Sequence, residues 1–162
     1  MTDDTVSAGR RRRTQRGPAD PPAATDVPVA LGAAVHPHCV ACSSANACGL
    51  GLRYVRTGDS SVEATFNCKA DYEGYPNVVH GGIVALLVDS AMMNCLFAAG
   101  RVAMTAQLTI RYHEPVLIGH TARIRAQIRR STGRFHLLEA TIVQDDNAKV
   151  TAAGKFLTVT PE

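Results

Sequence analysis

His80-Gly-Gly-Ile-Val-Ala-Leu-Leu-Val-Asp89-Ser-Ala-Met92 sets one carboxylate into the middle of an otherwise apolar run that opens on two glycines. Apolar residues continue to about Ala99, and Gly100 offers a left-handed stop, so the stretch predicts a helix over 81–99. A helix apolar all round is enclosed by other structure. An ionised carboxylate taken out of water costs several kcal/mol unless it is paired, so Asp89 needs a partner, a water-filled cavity or a task. At the opposite end, Gly81 and Gly82 have no side chains to cover their backbone N–H groups. The unpaired amides of a helix start favour an oxygen that carries negative charge. The two ends together describe groups able to polarise a carbonyl and to attack it.

They do not fit one reacting group on one chain. The eight positions between Gly81 and Asp89 amount to about 12 Å along the helix axis and roughly 80° around it. If both serve one reaction they come from two copies of the helix, most simply an antiparallel pair related by a two-fold axis. The expectation is a dimer with two composite sites.

The flanking sequence alternates rather than cycling at a helical period. Leu50 to Arg56 and Ser61 to Cys68 read as short strands, and 71–77, with Gly74 and Pro76, reads as a loop. After Gly100, Val102, Met104, Ala106, Leu108, Ile110 and Tyr112 point one way, and Ala103, Thr105, Gln107, Thr109 and Arg111 the other. Ala122 to Arg129 repeats the pattern, followed by strands Phe135 to Gln144 and Lys149 to Thr160. Short turns at 131–133 and 145–148 make the last three strands antiparallel. The expected architecture is α+β, a curved antiparallel sheet wrapped around a central apolar helix.

Residues 1–35 are rich in Arg, Pro, Ala and Asp and poor in large apolar side chains, so they read as a disordered tail ahead of a domain over 36–162. The net charge is +3, and much of the positive charge sits in Arg10 to Arg13 and Arg16. The domain is therefore nearly neutral, which leaves little to support nucleic-acid binding. The longest apolar run is interrupted by Asp89 and Asn94, and no secretory leader is evident, since the 27–35 stretch contains Pro28 and Gly32. Five cysteines without an export signal suit a reducing compartment, so the expectation is a cytoplasmic protein that neither spans nor binds a membrane.

The order His80-Gly-Gly, six residues, Asp89, then Ala91-Met92, preceded by Gly74-Tyr75-Pro76 and followed by 105–112 and Pro115-Val116, resembles the hotdog-fold acyl-CoA thioesterases, in particular the PaaI-like subgroup. The resemblance covers 39 to about 158. It implies a hotdog fold, hydrolysis of an acyl-CoA or acyl carrier protein thioester, and a homo-oligomer, either a dimer or a dimer of dimers. Asp89 matches the family's catalytic carboxylate, which activates a water or attacks the thioester carbonyl. Gly81, with Gly82, matches the helix-start amides that bind the thioester oxygen. Thr105 matches a Ser or Thr that some members use to hold the water or the carboxylate, and His80 matches a histidine that shapes the loop entering the helix. No metal or redox cofactor is implied, coenzyme A entering only as part of the substrate.

The chain departs from the pattern at two places. Ser90 stands where many relatives have Glu, and Asn77 where many have Gly, which makes Asn77 a candidate donor to the substrate. Arg129, Arg130 and Arg134, around Ser131-Thr132-Gly133, form the densest cationic cluster of the domain and are candidates for the phosphates of coenzyme A. Cys39-x2-Cys42-x5-Cys48, with His36 and His38, has the ligand types of a zinc knuckle but lacks its second close couple, so no metal is expected. Two other readings on the same fold are a non-hydrolytic acyl-CoA-binding module, which needs no carboxylate in the helix, and a tailoring enzyme such as a dehydratase acting on a carrier-bound intermediate.

Overall fold

A computed structural model of the chain describes residues 25–26 and 29–159, with side chains from residue 31 onward. The protein is α+β. Strands β1 (Thr25–Asp26), β2 (Tyr54–Gly58), β3 (Ser61–Asn67), β4 (Ala103–Tyr112), β5 (Thr121–Thr132), β6 (Phe135–Gln144) and β7 (Asn147–Thr158) form one sheet in the order β1-β2-β3-β5-β6-β7-β4. Every neighbouring pair is antiparallel. One face of this sheet receives the long helix α2 (Gly81–Ala98), which follows the short helix α1 (Val29–Val35) in the chain.

The all-round apolar character of α2 is explained by its surroundings: it touches every strand from β2 to β7. Leu87, Val88, Ala91, Met92 and Leu96 are fully buried, against Ala122, Ile124, Leu138, Ile142 and Phe156 of the sheet. With 18 residues and a mean hydropathy of 1.7, α2 has the length and composition of a membrane span, but 67% of it is buried within the fold. It therefore reads as the core helix of this domain. Its end follows the expectation: Ala99 caps it, Gly100 turns left-handed at φ 69, and the N–H groups of Gly100 and Arg101 bond back to Phe97 and Leu96. The buried polar side chains of the helix are satisfied. Tyr54 Oη donates to Ser90 Oγ at 3.1 Å, and Asn94 Nδ2 donates to the Ser90 carbonyl at 2.9 Å.

Four expectations need correction. The strand expected from Leu50, β2, opens at Tyr54 instead, because the N–H groups of Leu50 and Leu52 bond to Val40 and Ala41 and Gly51 turns left-handed between them. The segment read as wholly tail contains β1 and α1, and Leu31 and Val35 of α1 pack on the core. The helix comes close to α2 here, a Cβ at Gly32 falling in ordinary contact, 3.6 Å, with the Phe97 ring. The rest of that reading, including the arginine run, falls outside the described residues.

The third and fourth corrections concern β4. Among the described residues it lies at the sheet edge with only β7 beside it, and most of it is exposed on both faces, with Met104 at 65% and Tyr112 at 52%. It also does not alternate as one uninterrupted strand. A bulge between Thr105 and Gln107 inserts one residue against β7. An extra residue reverses the parity of everything beyond it, so Thr105 and Tyr112, seven positions apart, both turn toward α2.

Candidate active site

The start of α2 is held by its own cap. His80, at φ −55 and ψ 133, accepts the Gly82 N–H on Nδ1 at 2.9 Å, while the N–H groups of Ile83 and Val84 return to the His80 carbonyl. An imidazole nitrogen thus does what a Ser or Asp oxygen does at an ordinary N-cap. Among the described residues the Gly81 N–H has no hydrogen-bond partner. Gly82, expected to share the oxyanion role, therefore already spends its amide on His80. Of the two, only Gly81 has an amide to offer.

Gly81 and His80 line a cavity of about 770 Å³. Its walls are the 74–79 loop, with Tyr75 82% exposed at the rim, Val84 of the helix and the 112–116 segment after β4. Tyr112 Oη donates to the Gly81 carbonyl at 3.1 Å. Beyond it, His113 Nε2 shares a 2.8 Å hydrogen bond with Thr151 Oγ1, and Glu114 pairs with Lys149. Gly74 is small for a reason: a Cβ there would come within 3.0 Å of His80 Cα.

Asp89 is not in this cavity. It stands half-buried on α2, and its Oδ1 accepts a 2.7 Å hydrogen bond from Thr105 Oγ1 on the exposed edge strand. A hydroxyl donating to a carboxylate is a charge-assisted bond, and it leaves Oδ2 without a protein partner among the described residues. Gly82, Ala85, Leu86 and Asp89 form a partly open stripe on a helix that is otherwise buried beyond its first turn. Their spacing, i, i+3, i+4, i+7, is that of one helix face.

The remaining candidates lie elsewhere. Asn77 does not line the cavity; it sits at φ 63, its N–H bonded to Glu73 and its carbonyl to Ile118, so its residue type meets the needs of a left-handed turn. Arg129 pairs with Glu139 at 3.1 Å, Arg130 Nε donates to Thr132 Oγ1, and Arg134 donates to the Thr158 carbonyl. Their hairpin is at the far end of the sheet from the Gly81 cavity. Tyr112 pairs with Val150 whereas Phe135 pairs with Leu157, seven residues along β7, or about 23 Å. Cys39 and Cys42 are half-buried, and burial pushes the Cys42 thiol up to about 11. Among the described residues no three His, Cys, Asp or Glu side chains gather as a metal cradle.

Sequence reasoning missed Tyr112 as a site residue, along with the wall formed by His113 and Glu114. Tyr112 was legible only as one more member of an alternating strand, because the bulge that turns it toward Gly81 leaves no mark in residue type.

Comparison with known proteins agrees with this architecture. The thioesterase superfamily model matches residues 76–151. Acyl-coenzyme A thioesterase THEM4 of Mus musculus is 29% identical over 119 residues, covering 70% of this chain and 51% of that protein. The chain thus spans about half the length of the curated relatives it matches. A solved thioesterase superfamily protein superimposes with a TM-score of 0.70 at 29% identity, over 74% of this chain and 63% of the other. The Escherichia coli PaaI protein of the phenylacetic acid degradation operon gives a TM-score of 0.65 at 21% identity, over 68% and 81%. The smu.793 protein of Streptococcus mutans, solved bound to acetyl-CoA, gives 0.64 at 18%, over 68% and 90%. Helix, sheet order and these matches together give the chain a hotdog fold, similar in sequence to the thioesterase superfamily over residues 76–151 and in architecture to PaaI.

Proposed function

We propose that this chain hydrolyses an acyl-CoA thioester to a carboxylic acid and free coenzyme A, in sites shared between two copies. The observation that carries the reading is the division of labour along α2. Among the described residues, a residue with a partnerless amide lines a cavity at one end, and a carboxylate with one open oxygen stands about 12 Å further along the helix. Among the described residues, neither end has its complement within the chain. Two copies of α2 placed antiparallel along the stripe of Gly82, Ala85, Leu86 and Asp89 bring each Gly81 toward the other copy's Asp89. The unpaired edge of β4 runs beside that stripe and offers backbone groups for pairing with its own copy.

In such a site the thioester carbonyl oxygen meets the Gly81 N–H. Asp89 Oδ2 takes a proton from a water as the water oxygen bonds to the carbonyl carbon, and the carbonyl electron pair moves onto the oxygen held by the amide. Collapse expels the coenzyme A sulfur, and the proton on Asp89 passes to it. Direct attack by Asp89 on the carbonyl, followed by hydrolysis of the resulting anhydride, uses the same two groups. Thr105 keeps Oδ1 occupied, which orients Oδ2 in either case. The relatives named as acyl-CoA thioesterases, and the S. mutans protein that binds acetyl-CoA, support coenzyme A as the thiol carrier.

The test is thiol release from a panel of acyl-CoA esters by the parent chain and by Asp89→Asn. The proposal expects turnover by the parent and a loss of at least about a hundredfold in the variant. Equal turnover by both removes Asp89 from the reaction, and tight acyl-CoA binding without thiol release identifies a binding module instead.

A further inference from the structure

The Gly81–Gly82 peptide is gripped at both ends by side chains. Its N–H is bound by His80 Nδ1 at 2.9 Å, and its carbonyl is bound by Tyr112 Oη at 3.1 Å. Two successive glycines are the most conformationally free pair a chain can hold, and the first N–H groups of a helix lack intrahelical partners; the Gly81 carbonyl also accepts from within α2, and Tyr112 adds the tie to the sheet. The Gly81 N–H lies in the preceding His80–Gly81 peptide, joined to this one at the Gly81 Cα, so freedom in the Gly81–Gly82 peptide passes to the amide of this cavity-lining residue through the Gly81 backbone angles. The two grips are different in kind. His80 closes a local loop across Gly81 from within the same turn, whereas Tyr112 reaches from β4 and ties the turn to the sheet.

Tyr112 is able to do this because of the bulge at Ala106. Thr105 precedes it and bonds to Asp89; Tyr112 follows it and bonds to Gly81. A strand of strict period two would turn one of them away from the helix. One edge strand thus holds both the carboxylate and the glycine turn.

We propose that Tyr112 is a positioning residue for the reaction. Its hydroxyl, acting with the His80 imidazole, locks the Gly81–Gly82 peptide so that the Gly81 amide is fixed toward the thioester oxygen before substrate arrives. The inference rests on the reading of Gly81 as the oxyanion donor, and it adds a residue of no catalytic chemistry of its own. An amide aimed in advance stabilises charge that develops in the transition state, so a loosened amide lowers turnover more than it weakens binding.

The experiment is Tyr112→Phe, which removes one hydroxyl and keeps the ring against Gly81. It is read in two independent ways on the full chain. Amide hydrogen exchange followed by NMR reports the grip itself: the expected result is exchange at Gly82 roughly tenfold faster, the size expected for loss of one hydrogen bond, with core amides of β6 and β7 unchanged. Steady-state hydrolysis of an acyl-CoA reports its consequence: kcat should fall about tenfold with KM within about twofold. Unchanged exchange at Gly82 overturns the grip whatever the activity. Faster exchange with unchanged kcat overturns the positioning role, and a raised KM with unchanged kcat makes Tyr112 a substrate contact instead. A parent chain that hydrolyses no thioester while Tyr112→Phe loosens Gly82 leaves the grip standing and sinks the thioesterase reading, so the two failures are told apart.

Discussion

Proline at position 81 would delete a single N–H and little else. Gly81 is the first residue of α2, the one helical position where proline is favoured, because its missing N–H has no intrahelical partner to lose and its φ is already helical. The residue before a proline must be extended, and His80 already is, at φ −55 and ψ 133. A Cβ at Gly81 would lie 3.8 Å from Tyr112 Oη, an ordinary contact, so the ring finds room on that side. Gly81→Pro should therefore fold with a stability within about 1 kcal/mol of the parent, displaced upward by the smaller freedom of the unfolded chain. The catalytic effect runs the other way. Removing one donor of this kind costs roughly 3 kcal/mol of transition-state stabilisation, a drop of about a hundredfold to a thousandfold in kcat. Gly81→Ala retains the N–H and measures the cost of a side chain alone, so the ratio between the two variants isolates the amide. The assays are urea unfolding for stability and acyl-CoA hydrolysis for turnover. A proline variant as stable as its alanine counterpart, with kcat within about threefold of it, would refute the assignment of the Gly81 amide.

Two further outcomes follow from the packing beneath the site. A Cβ at Gly154 would come within 2.6 Å of both Met92 Sδ and Phe156 Cε2, two side chains fully buried in the core, so Gly154→Ala should lower stability by about 1–3 kcal/mol in urea unfolding. His136 is fully buried, its ring bonded to Ser131 Oγ at 3.0 Å and Thr158 Oγ1 at 2.7 Å, and burial, with Arg101 nearby, holds its pKa below the usual value. The unfolded chain then binds this proton at a higher pH than the folded one, so stability falls as pH drops below about 6.5, the ordinary histidine value, and stops falling on this account below the folded value. His136→Leu should flatten that limb in unfolding curves taken from pH 7 to 5; an unaltered slope would assign the acid sensitivity elsewhere.

The parts of this molecule that were legible in its sequence are those where one residue type meets one physical demand. An apolar run with no polar face had to be enclosed, Gly100 had to end it, and a carboxylate inside it needed a partner, a water-filled cavity or a task, of which the structure supplies a partner in Thr105. The turn read at 145–148 was open to reading too, because Asp and Asn suit tight turns; the structure closes it over Asp145 and Asp146, both at positive φ, and begins β7 at Asn147. What escaped depended on pairing partners that composition does not specify. The bulge at Ala106 inverts the faces of half of β4 without any change in residue pattern. The Gly82 amide looked as available as that of Gly81 until the His80 ring was placed against it. Asn77 carried a side chain suited to substrate, yet the need for φ 63 at that position explains it first. The separation of the two ends of α2 was legible from helix geometry alone, and the cavity that Gly81 lines leaves out Asp89.

That division is tested most directly by complementation. Asp89→Asn and Gly81→Pro, each inactive alone, are unfolded together and refolded as an equal mixture, and acyl-CoA hydrolysis is measured. If each site takes Gly81 from one copy and Asp89 from the other, half of the dimers are mixed and each regains one of its two sites, so activity returns to about a quarter of the parent value. Activity no greater than the sum of the two variants would place both groups within a single chain and contradict the shared site.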